Sequence, residues 1–505
     1  MDVLVQDPGA NHDVEWSLYW TTRHTTVPRG FLELLDEWAD IDDRERGLGI
    51  EADTPILIDP ACRVDGRLAH FLRRSRFGFL AEETKRAYAK DYRLFFSFLH
   101  QRGKYWDEAE ADDIDDYESW RRRSRDNPRR ISGSKWSREL AAFKLLYGWA
   151  VAAGLIDRSP VRTHTVRRGQ GRTIEVADHH PGDLRASNVK WLTPRTFRLW
   201  RDVGLSGYDA NGLPEPGWRS RCDDRDAAFA DLLFDSGLRL REGGCLLTLE
   251  VPQALNGQLY YEGTVAAAIA KRRERMFYVS ASALDGIAAY MGTTRRAAIR
   301  RAQRQGRYEA VAGRRVVSRV SLGKDPRVAW ADACGRHGED PIRVLGPAER
   351  RAIFIEGDGG LEPLALWLTE GGMPMDHRSW EAVFHAANRR CAQLGKPITA
   401  TPHMCRHSFA LKMLVTLQRA LDTRFGLSQV ERDELRKLYG DPFTLVKDLL
   451  GHRSEQTTRE IYLEPLNGIR LGMMLEGSED LDAVLARVAA SSRRVMDVAP
   501  GEGES

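Results

Sequence analysis

The stretch from residue 401 to residue 465 decides the reading of this chain: it opens with TPHMCRHSFALKML at Thr401 and, after a Leu-rich connection, closes with DLLGHRSEQTTREIYLEP from Asp448. Thr401-Pro402 is a helix-start signal, because a proline in the first turn lacks only an N–H that would have had no partner. On the helix that follows, Phe409, Ala410, Met413 and Leu414 read as the buried stripe, while His403 and Arg406 share one face three residues apart. An arginine keeps its charge and offers a planar fork of donors suited to two oxygens of one phosphate. An imidazole beside it can move a proton near neutral pH. Further on, His452 follows Gly451, and Tyr462 sits on what reads as the next helix. Imidazoles, a guanidinium and a phenol in this order point to phosphoryl transfer with a tyrosine nucleophile.

Each residue type has a plainer reading. An isolated His-x-x-Arg is more often a surface pair than a site, and a helical tyrosine is usually half-buried packing. His403 and His407 have the i, i+4 spacing of zinc ligands, but no glutamate follows His403 and no third ligand is evident, which argues against a metal. Taken as one ordered string, Pro402-His403-x-x-Arg406-His407, then Leu449-Leu450-Gly451-His452, then Thr457-Thr458 and Tyr462, the segment resembles the carboxy-terminal signature of the tyrosine recombinase family, also called lambda-type integrases.

Composition sets the frame for that resemblance. At 505 residues, the chain has room for two or three domains with their own cores, and 42% hydrophobic with 30% charged residues describes a soluble globular protein. A net charge of only +3 does not announce nucleic acid, so any such partner must be argued from local clustering. The six cysteines, Cys62, Cys222, Cys245, Cys334, Cys391 and Cys405, form no C-x-x-C, which favours a reducing compartment without disulfides or zinc. The acidic amino terminus lacks a signal-peptide core and no run approaches a membrane span, so the expected location is cytoplasmic, at the nucleoid.

Residues 1–75 read as an amino-terminal arm or cap, with a short helical candidate at Gly30–Trp38 and a Pro-punctuated stretch at Asp53–Pro60. Residues 76–162 read as a small helical domain. Tyr88, Tyr92, Phe95 and Leu99 recur at helical spacing, Ile114, Tyr117 and Trp120 mark a second helix, and Trp136, Leu140, Phe143 and Tyr147 a third. Arg121, Arg122, Arg123, Arg129 and Arg130 between these helices suit a phosphate backbone or, equally, a solvated face. In length and order this domain resembles the core-binding domain that precedes the catalytic domain of tyrosine recombinases. Residues 163–190, rich in Gly, His and Arg without periodicity, read as a linker.

The second domain is expected over 191–475, with a carboxy-terminal helix and flexible tail over 476–505; Leu481, Val484, Leu485 and Val488 would line that helix. Helix 225–236 ends at Gly237 and leads into GLRLREG. In the family, a Gly-Leu-Arg-x-x-Glu segment carries the first catalytic arginine and a supporting acid, which match Arg239 and Glu242; Arg241 is a rival for the arginine role. Cys245–Val251, Thr264–Ala270 and Met276–Ser280 read as short strands, the last two joined by Lys271-Arg272-Arg273-Glu274-Arg275. The family places a lysine on this hairpin beside the scissile phosphate, and Lys271 resembles it. Lys271 is also the only lysine between Lys190 and Lys324, and an ammonium can give a proton to a leaving alkoxide where a guanidinium cannot. A solvated hairpin-tip charge is the alternative. A basic insertion near 290–345 follows, in which Arg295, Arg296, Arg300, Arg301, Arg304, Arg307, Arg314, Arg315 and Arg319 face a single acid, Glu309, a pattern suited to tracking phosphates.

The resemblance therefore implies a mainly α fold with a small antiparallel β-sheet in the catalytic domain, the two domains forming a C-shaped DNA clamp. It implies a site-specific recombinase acting on double-stranded DNA as a homo-tetramer on paired sites, with accessory recombinases or DNA-bending proteins as further partners and no membrane. Tyr462 would attack phosphorus to give a 3′-phosphotyrosyl bond. Arg239 and Arg406 would hold the non-bridging oxygens and His452 would donate to them. Lys271 is the candidate acid, His403 would assist proton transfer, Glu242 would orient the cluster, and His407 would be structural. No metal or other cofactor is expected. Integration, excision or transposition of a mobile element fits the chain's size; relaxation of the type IB topoisomerase kind, or DNA binding without cleavage, are the alternatives.

Overall fold

A computed structural model describes residues 15–21, 47, 53–168, 172–179, 181, 190–254, 258–270, 274–323, 325–423, 442–451, 485–486, 489 and 494–497. The chain divides into two units, Met1–Ala186 and Ser187–Ser505.

The first unit is a helical core closed at its amino-terminal end by two short strands. Its helices are α1 (Gly66–Arg74), α2 (Glu82–His100), α3 (Ala111–Arg122) and α4 (Gly133–Ala152). The expected aromatic periodicity is what builds it: Tyr92, Phe95 and Leu99 of α2 are buried against Ile114 and Tyr117 of α3 and Trp136, Phe143 and Tyr147 of α4. The rings of Phe95 and Phe143 lie 4.5 Å apart, and Tyr117 meets Phe95 edge-on at 4.9 Å, geometry that adds to simple burial. Tyr92 and Tyr147 keep their hydroxyls satisfied by donating to the Ala142 and Trp106 carbonyls, both at 2.8 Å.

Described residues before 76 contribute to this core. Strands β1 (Ser17–Trp20) and β2 (Pro55–Ile58) pair antiparallel, Trp16 is buried, and its amide donates to Ser97 Oγ at 2.9 Å. Helix α1 adds Leu68, Phe71 and Leu72. The helical candidate Gly30–Trp38 lies outside the described residues. The supposed linker is also more ordered than expected. Strands β3 (Thr163–Arg168) and β4 (Arg172–Ala177) form an antiparallel ladder. β-Branched residues at Thr163, Thr165, Val166, Thr173, Ile174 and Val176 favour extended backbone, a signal that a Gly- and Arg-weighted reading overlooks.

The second unit opens with β5 (Trp191–Leu192), which pairs in parallel with the returning strand β13 (Val495–Met496). Helix α5 (Pro194–Gly204) starts as the sequence predicts, with the Thr193 side chain accepting from the Thr196 amide and Pro194 in the first turn. Helix α6 (Asp223–Ser236) carries three aspartates at its positive end and stops at Gly237, whose φ of 64° is left-handed. A Cβ there would lie 2.3 Å from Phe409, so glycine is required twice over. Phe229 of α6 stacks on Trp380 of α11 (Ser379–Gln393) at 3.6 Å and meets Trp367 edge-on, the centre of the main core.

The strand expectations need correction. Residues 245–251 form no strand but a helical turn at Thr248–Glu250. The hairpin consists of β6 (Tyr260–Val265) and β7 (Arg275–Ser280), whereas residues 266–270 turn back on themselves, with the Ile269 and Ala270 amides donating to the Ala266 carbonyl. Local turn hydrogen bonds thus win over the apolar run. Helix α8 (Ala281–Tyr290) continues through a wide π turn, Met291–Arg295, into α9 (Arg296–Arg304). The basic insertion then supplies three strands of a five-stranded sheet, completed by the two strands that follow it, in the order β10 (His337–Pro341), β9 (Arg327–Asp332), β8 (Arg315–Ser321), β11 (Ile353–Gly357), β12 (Gly360–Pro363). Only β8–β11 is parallel.

Behind the sheet, Arg350 of α10 (Pro347–Arg351) is 1% exposed and donates to both Glu250 oxygens and to the Cys245, Ile342 and Leu345 carbonyls. Finally α12 (Pro402–Thr423) and α13 (Pro442–Leu450) share a second core of Phe409, Leu414, Val415, Val446 and Leu450.

Candidate active site

The site grows from the end of α6. Past Gly237 the chain turns into the short helix α7 (Leu240–Gly244), with Arg239 at its N-cap, where its amide has no helical partner. Glu242, in the first turn, supplies one: its Oε2 accepts from the Arg239 amide at 2.8 Å, and its Oε1 from Arg239 Nη1 at 2.9 Å. The GLRLREG segment is therefore a self-capping unit that fixes its own arginine.

Two more guanidiniums reach this carboxylate's surroundings from distant parts of the chain. Arg275, first residue of β7, donates from Nη2 to Glu242 Oε2 at 2.7 Å. Arg406 of α12, 3% exposed, donates from Nη1 to the Gly237 carbonyl. All three arginines then meet the carboxy-terminal end of α13. Arg275 Nε donates to Leu449 O at 3.2 Å, Arg406 Nη2 to Leu450 O, and Arg239 Nη2 to Gly451 O at 3.3 Å. The last carbonyls of a helix lack helical donors and carry its negative end, so each here accepts from one cation. Gly451 adopts φ 61°, and a Cβ on it would lie 3.1 Å from Arg275 Cδ. That explains the glycine of the Leu-Leu-Gly-His string: it ends the helix and lets arginine close on the backbone.

Electrostatics follow from the count of three guanidiniums around one carboxylate. Glu242 has 0% exposure. Burial alone would raise its pKa, but the charges of Arg275, Arg239 and Arg406 and the Arg239 amide outweigh it and hold the carboxyl below its ordinary value. Burial pulls Arg275 below the usual arginine range, and Glu242 only partly offsets this. Among the described residues the cluster keeps a surplus of positive charge, as an anion-binding site needs.

Of the predicted site residues, the structure brings Arg239, Glu242 and Arg406 together. His403 is exposed in the first turn of α12, its ring 6.2 Å from that of His407. Arg241 points elsewhere, its Nη2 donating to the Ala268 carbonyl at 2.9 Å. Lys271, His452 and Tyr462 lie outside the described residues. Arg275 was missed. The signal was present in the strand alternation, since Arg275, Phe277 and Val279 occupy one face of β7 and the latter two are core, but the surrounding basic run disguised it.

The arginines expected to contact DNA divide, and part of that expectation is corrected. Arg121 is buried and paired with Glu139 at 2.6 Å, and Arg122 is bound to Glu118 at 2.5 Å. Arg295 is buried and donates to the Pro363, Ala365 and Leu366 carbonyls. Arg121 and Arg295 hold the fold, because each faces inward on its helix, whereas Arg122 is half-buried. Arg301 donates to Glu370 O at 2.7 Å. Arg123, Arg129 and Arg130 are exposed, as are Arg296, Arg300 and Arg304, which form an i, i+4, i+8 row on α9. Asp358 and Glu362 share a cleft with Arg296 and Arg300. Among the described residues, no cluster of His, Cys, Asp and Glu could hold a metal ion, and no helix is long and apolar enough to cross a membrane.

Known proteins show likenesses to parts of this chain. Residues 75–154 match the family model described as phage integrase, N-terminal SAM-like domain. Over 173 residues the chain is 28% identical to the tyrosine recombinase XerD of Ralstonia nicotianae (strain ATCC BAA-1114 / GMI1000), a match that covers 34% of this chain and 45% of that relative. The chain thus aligns with less than half the length of that protein. Among solved structures, the XerH site-specific recombinase bound to difH substrate is similar at 12% identity and TM-score 0.38, covering 79% of this chain and 81% of the other. The Tn1549 transposon integrase in complex with circular intermediate DNA is similar at 12% identity and TM-score 0.39, covering 78% and 93%. On the sequence matches, this chain is similar to a tyrosine recombinase over about a third of its length, and its residues 75–154 are similar to the N-terminal domain of phage integrases.

Proposed function

We propose that the protein is a site-specific DNA recombinase that cuts and rejoins strands through a 3′-phosphotyrosyl intermediate, serving integration, excision or transposition of a mobile element. The observation that carries this reading is the convergence of Arg239, Arg275 and Arg406 on one carboxylate and one helix end, immediately before His452 in the chain. A scissile phosphate placed there would meet guanidiniums already oriented, so little reorganisation is needed as charge gathers on its oxygens.

In this reading Tyr462 is the nucleophile. Its phenolic oxygen forms a bond to phosphorus while the bond to the 5′ oxygen breaks, and the leaving oxygen takes a proton from Lys271. Arg239 and Arg406 bind the non-bridging oxygens, His452 adds a hydrogen bond, and His403 assists removal of the tyrosine proton. Glu242 keeps Arg239 in place. The phosphotyrosine preserves the bond energy, so a 5′-hydroxyl from another strand reverses the step without ATP. The two units would close on the duplex as a clamp, with Arg123, Arg129, Arg130, Arg296, Arg300 and Arg304 on the phosphate backbone, and four copies would act on paired sites.

The test is covalent capture on nicked suicide duplexes tiled across the gene and its flanking DNA. Wild type is expected to yield a protein–DNA adduct that Tyr462→Phe does not form, and two sites to be joined in a strand-transfer assay. An adduct that survives in Tyr462→Phe would refute the assigned nucleophile, and relaxation of supercoils without joining would place the chemistry with the topoisomerases.

A further inference from the structure

Arg275 does more in this site than its neighbours in the basic loop. We propose that Arg275 is a positioning residue that ties the hairpin loop to the phosphate-binding arginines, holding Glu242 and through it Arg239 while it clamps the last turn of α13. The inference rests on the function proposed above and deepens it.

Three observations support it. First, Arg275 is where β7 begins, paired with Val265 across the hairpin, so the loop bearing Lys271 ends on this residue. Anchoring its side chain anchors that end of the loop. Second, its contacts join two separate elements. Nη2 binds the Glu242 oxygen that also accepts the Arg239 amide, and Nε binds Leu449 O two residues before Gly451. Third, the Arg275 side chain is 9% exposed, yet its Nη1 has no hydrogen-bond partner among the described residues. A buried guanidinium serving only as a brace would be expected to use its donors, as Arg350 does. A donor without a partner among the described residues, beside three guanidiniums and one carboxylate, marks a group held for the charge it brings to the site.

The consequence is a dependence of cleavage on Arg275 that runs through Glu242. The charged groups facing Glu242 are Arg239 on α7, Arg275 on β7 and Arg406 on α12, with Arg275 the largest of the three influences keeping it ionised. Without Arg275, burial pushes the Glu242 carboxyl up, so it takes a proton at higher pH and releases Arg239.

The experiment uses the full chain and the suicide duplexes above, with Arg275→Gln, Arg275→Lys, Glu242→Gln and Tyr462→Phe. Duplex affinity is read by mobility shift and single-turnover adduct formation is read across the acid-to-neutral range. Arg275→Gln is expected to slow adduct formation about 100-fold, the cost of a misplaced catalytic group, with a far smaller change in affinity. Its acid limb is expected to move to higher pH. Arg275→Lys, which keeps the charge and loses the fork, should return the limb toward its wild-type position without restoring the full rate. Adduct formation by Arg275→Gln at the wild-type rate, or loss of rate and affinity together with an unmoved acid limb, would reduce Arg275 to a structural brace. A wild type that gives no Tyr462-dependent adduct on any duplex overturns both proposals, whereas a normal wild type with an unaffected Arg275→Gln overturns this one alone.

Discussion

Two carboxylates in the second unit, Glu242 buried and Glu250 half-buried, show how the same residue types serve opposite ends. Glu250 faces one guanidinium, Arg350, whose five hydrogen bonds engage both carboxylate oxygens and three carbonyls. That pair is neutral and complete, and it seats the helical turn before the hairpin against the five-stranded sheet. Glu242 faces Arg239, Arg275 and Arg406, which use helix-end carbonyls, and among the described residues Arg275 Nη1 has no partner. A closed pair stabilises a fold. An open cluster with surplus charge is arranged for something that has yet to bind.

The largest expected effect separates the two on stability. Arg350→Met should cost about 3 kcal/mol in urea denaturation, because the Cys245, Ile342 and Leu345 carbonyls and the half-buried Glu250 lose their donor. Arg239→Gln should cost much less, since it relieves repulsion among three guanidiniums. Equal losses in the two variants would erase the distinction.

Chemistry should sort them the other way. Arg239→Gln is expected to lower the single-turnover adduct rate by about 10²–10³-fold, the range for removing one preorganised donor to a developing negative charge. The Arg350→Met protein that remains folded should cleave at nearly the wild-type rate, which a concentration-normalised adduct assay would reveal.

The acid response sharpens the point. A carboxyl whose pKa is lower in the folded than in the unfolded chain contributes stability above its unfolded value, and loses it as pH falls through the folded one. For Glu242, that contribution should be complete above its ordinary value of about 4.5 and fade below it. Glu242→Gln should therefore be less stable than wild type at neutral pH, with the gap closing in acid; parallel denaturation curves across that range would show that the cluster does not hold this carboxylate ionised.

The smallest effect concerns the exposed row on α9. Arg300→Gln should weaken duplex binding modestly and lower the slope of log affinity against log salt by about one, whatever the DNA sequence. The same change at Arg295, which is buried, should alter stability and leave the salt slope alone.

Much of this was legible beforehand. Aromatic periodicity placed the three helices around Phe95, Tyr117 and Phe143, since a packed face repeats at the helical period whatever it packs against. Gly237 was legible as a helix stop, because left-handed backbone selects glycine. The insertion's sheet was not, since its strands pair across separations that no local pattern encodes, and a run of arginines masked the Val and Ile of β8 and β11. Nor were the roles of the arginines. Arg121, Arg295 and Arg123 look alike in a string, yet two are buried and one is exposed, because helix rotation decides which way each faces.

By itself the sequence determined which chemistry was available: an ordered set of guanidiniums, imidazoles, a lysine and a tyrosine, on segments whose caps and periodicity are local and therefore readable. Only the tertiary structure decided which of those charges share a site. Arg275 and Arg239 are 36 positions apart and Arg406 lies another 131 beyond Arg275. They meet because β7 and α12 pack against the end of α6, and because the last carbonyls of α13 lack donors of their own. Burial and partner count, which turn an arginine into a brace or into part of a site, are properties of that packing and have no counterpart in residue spacing.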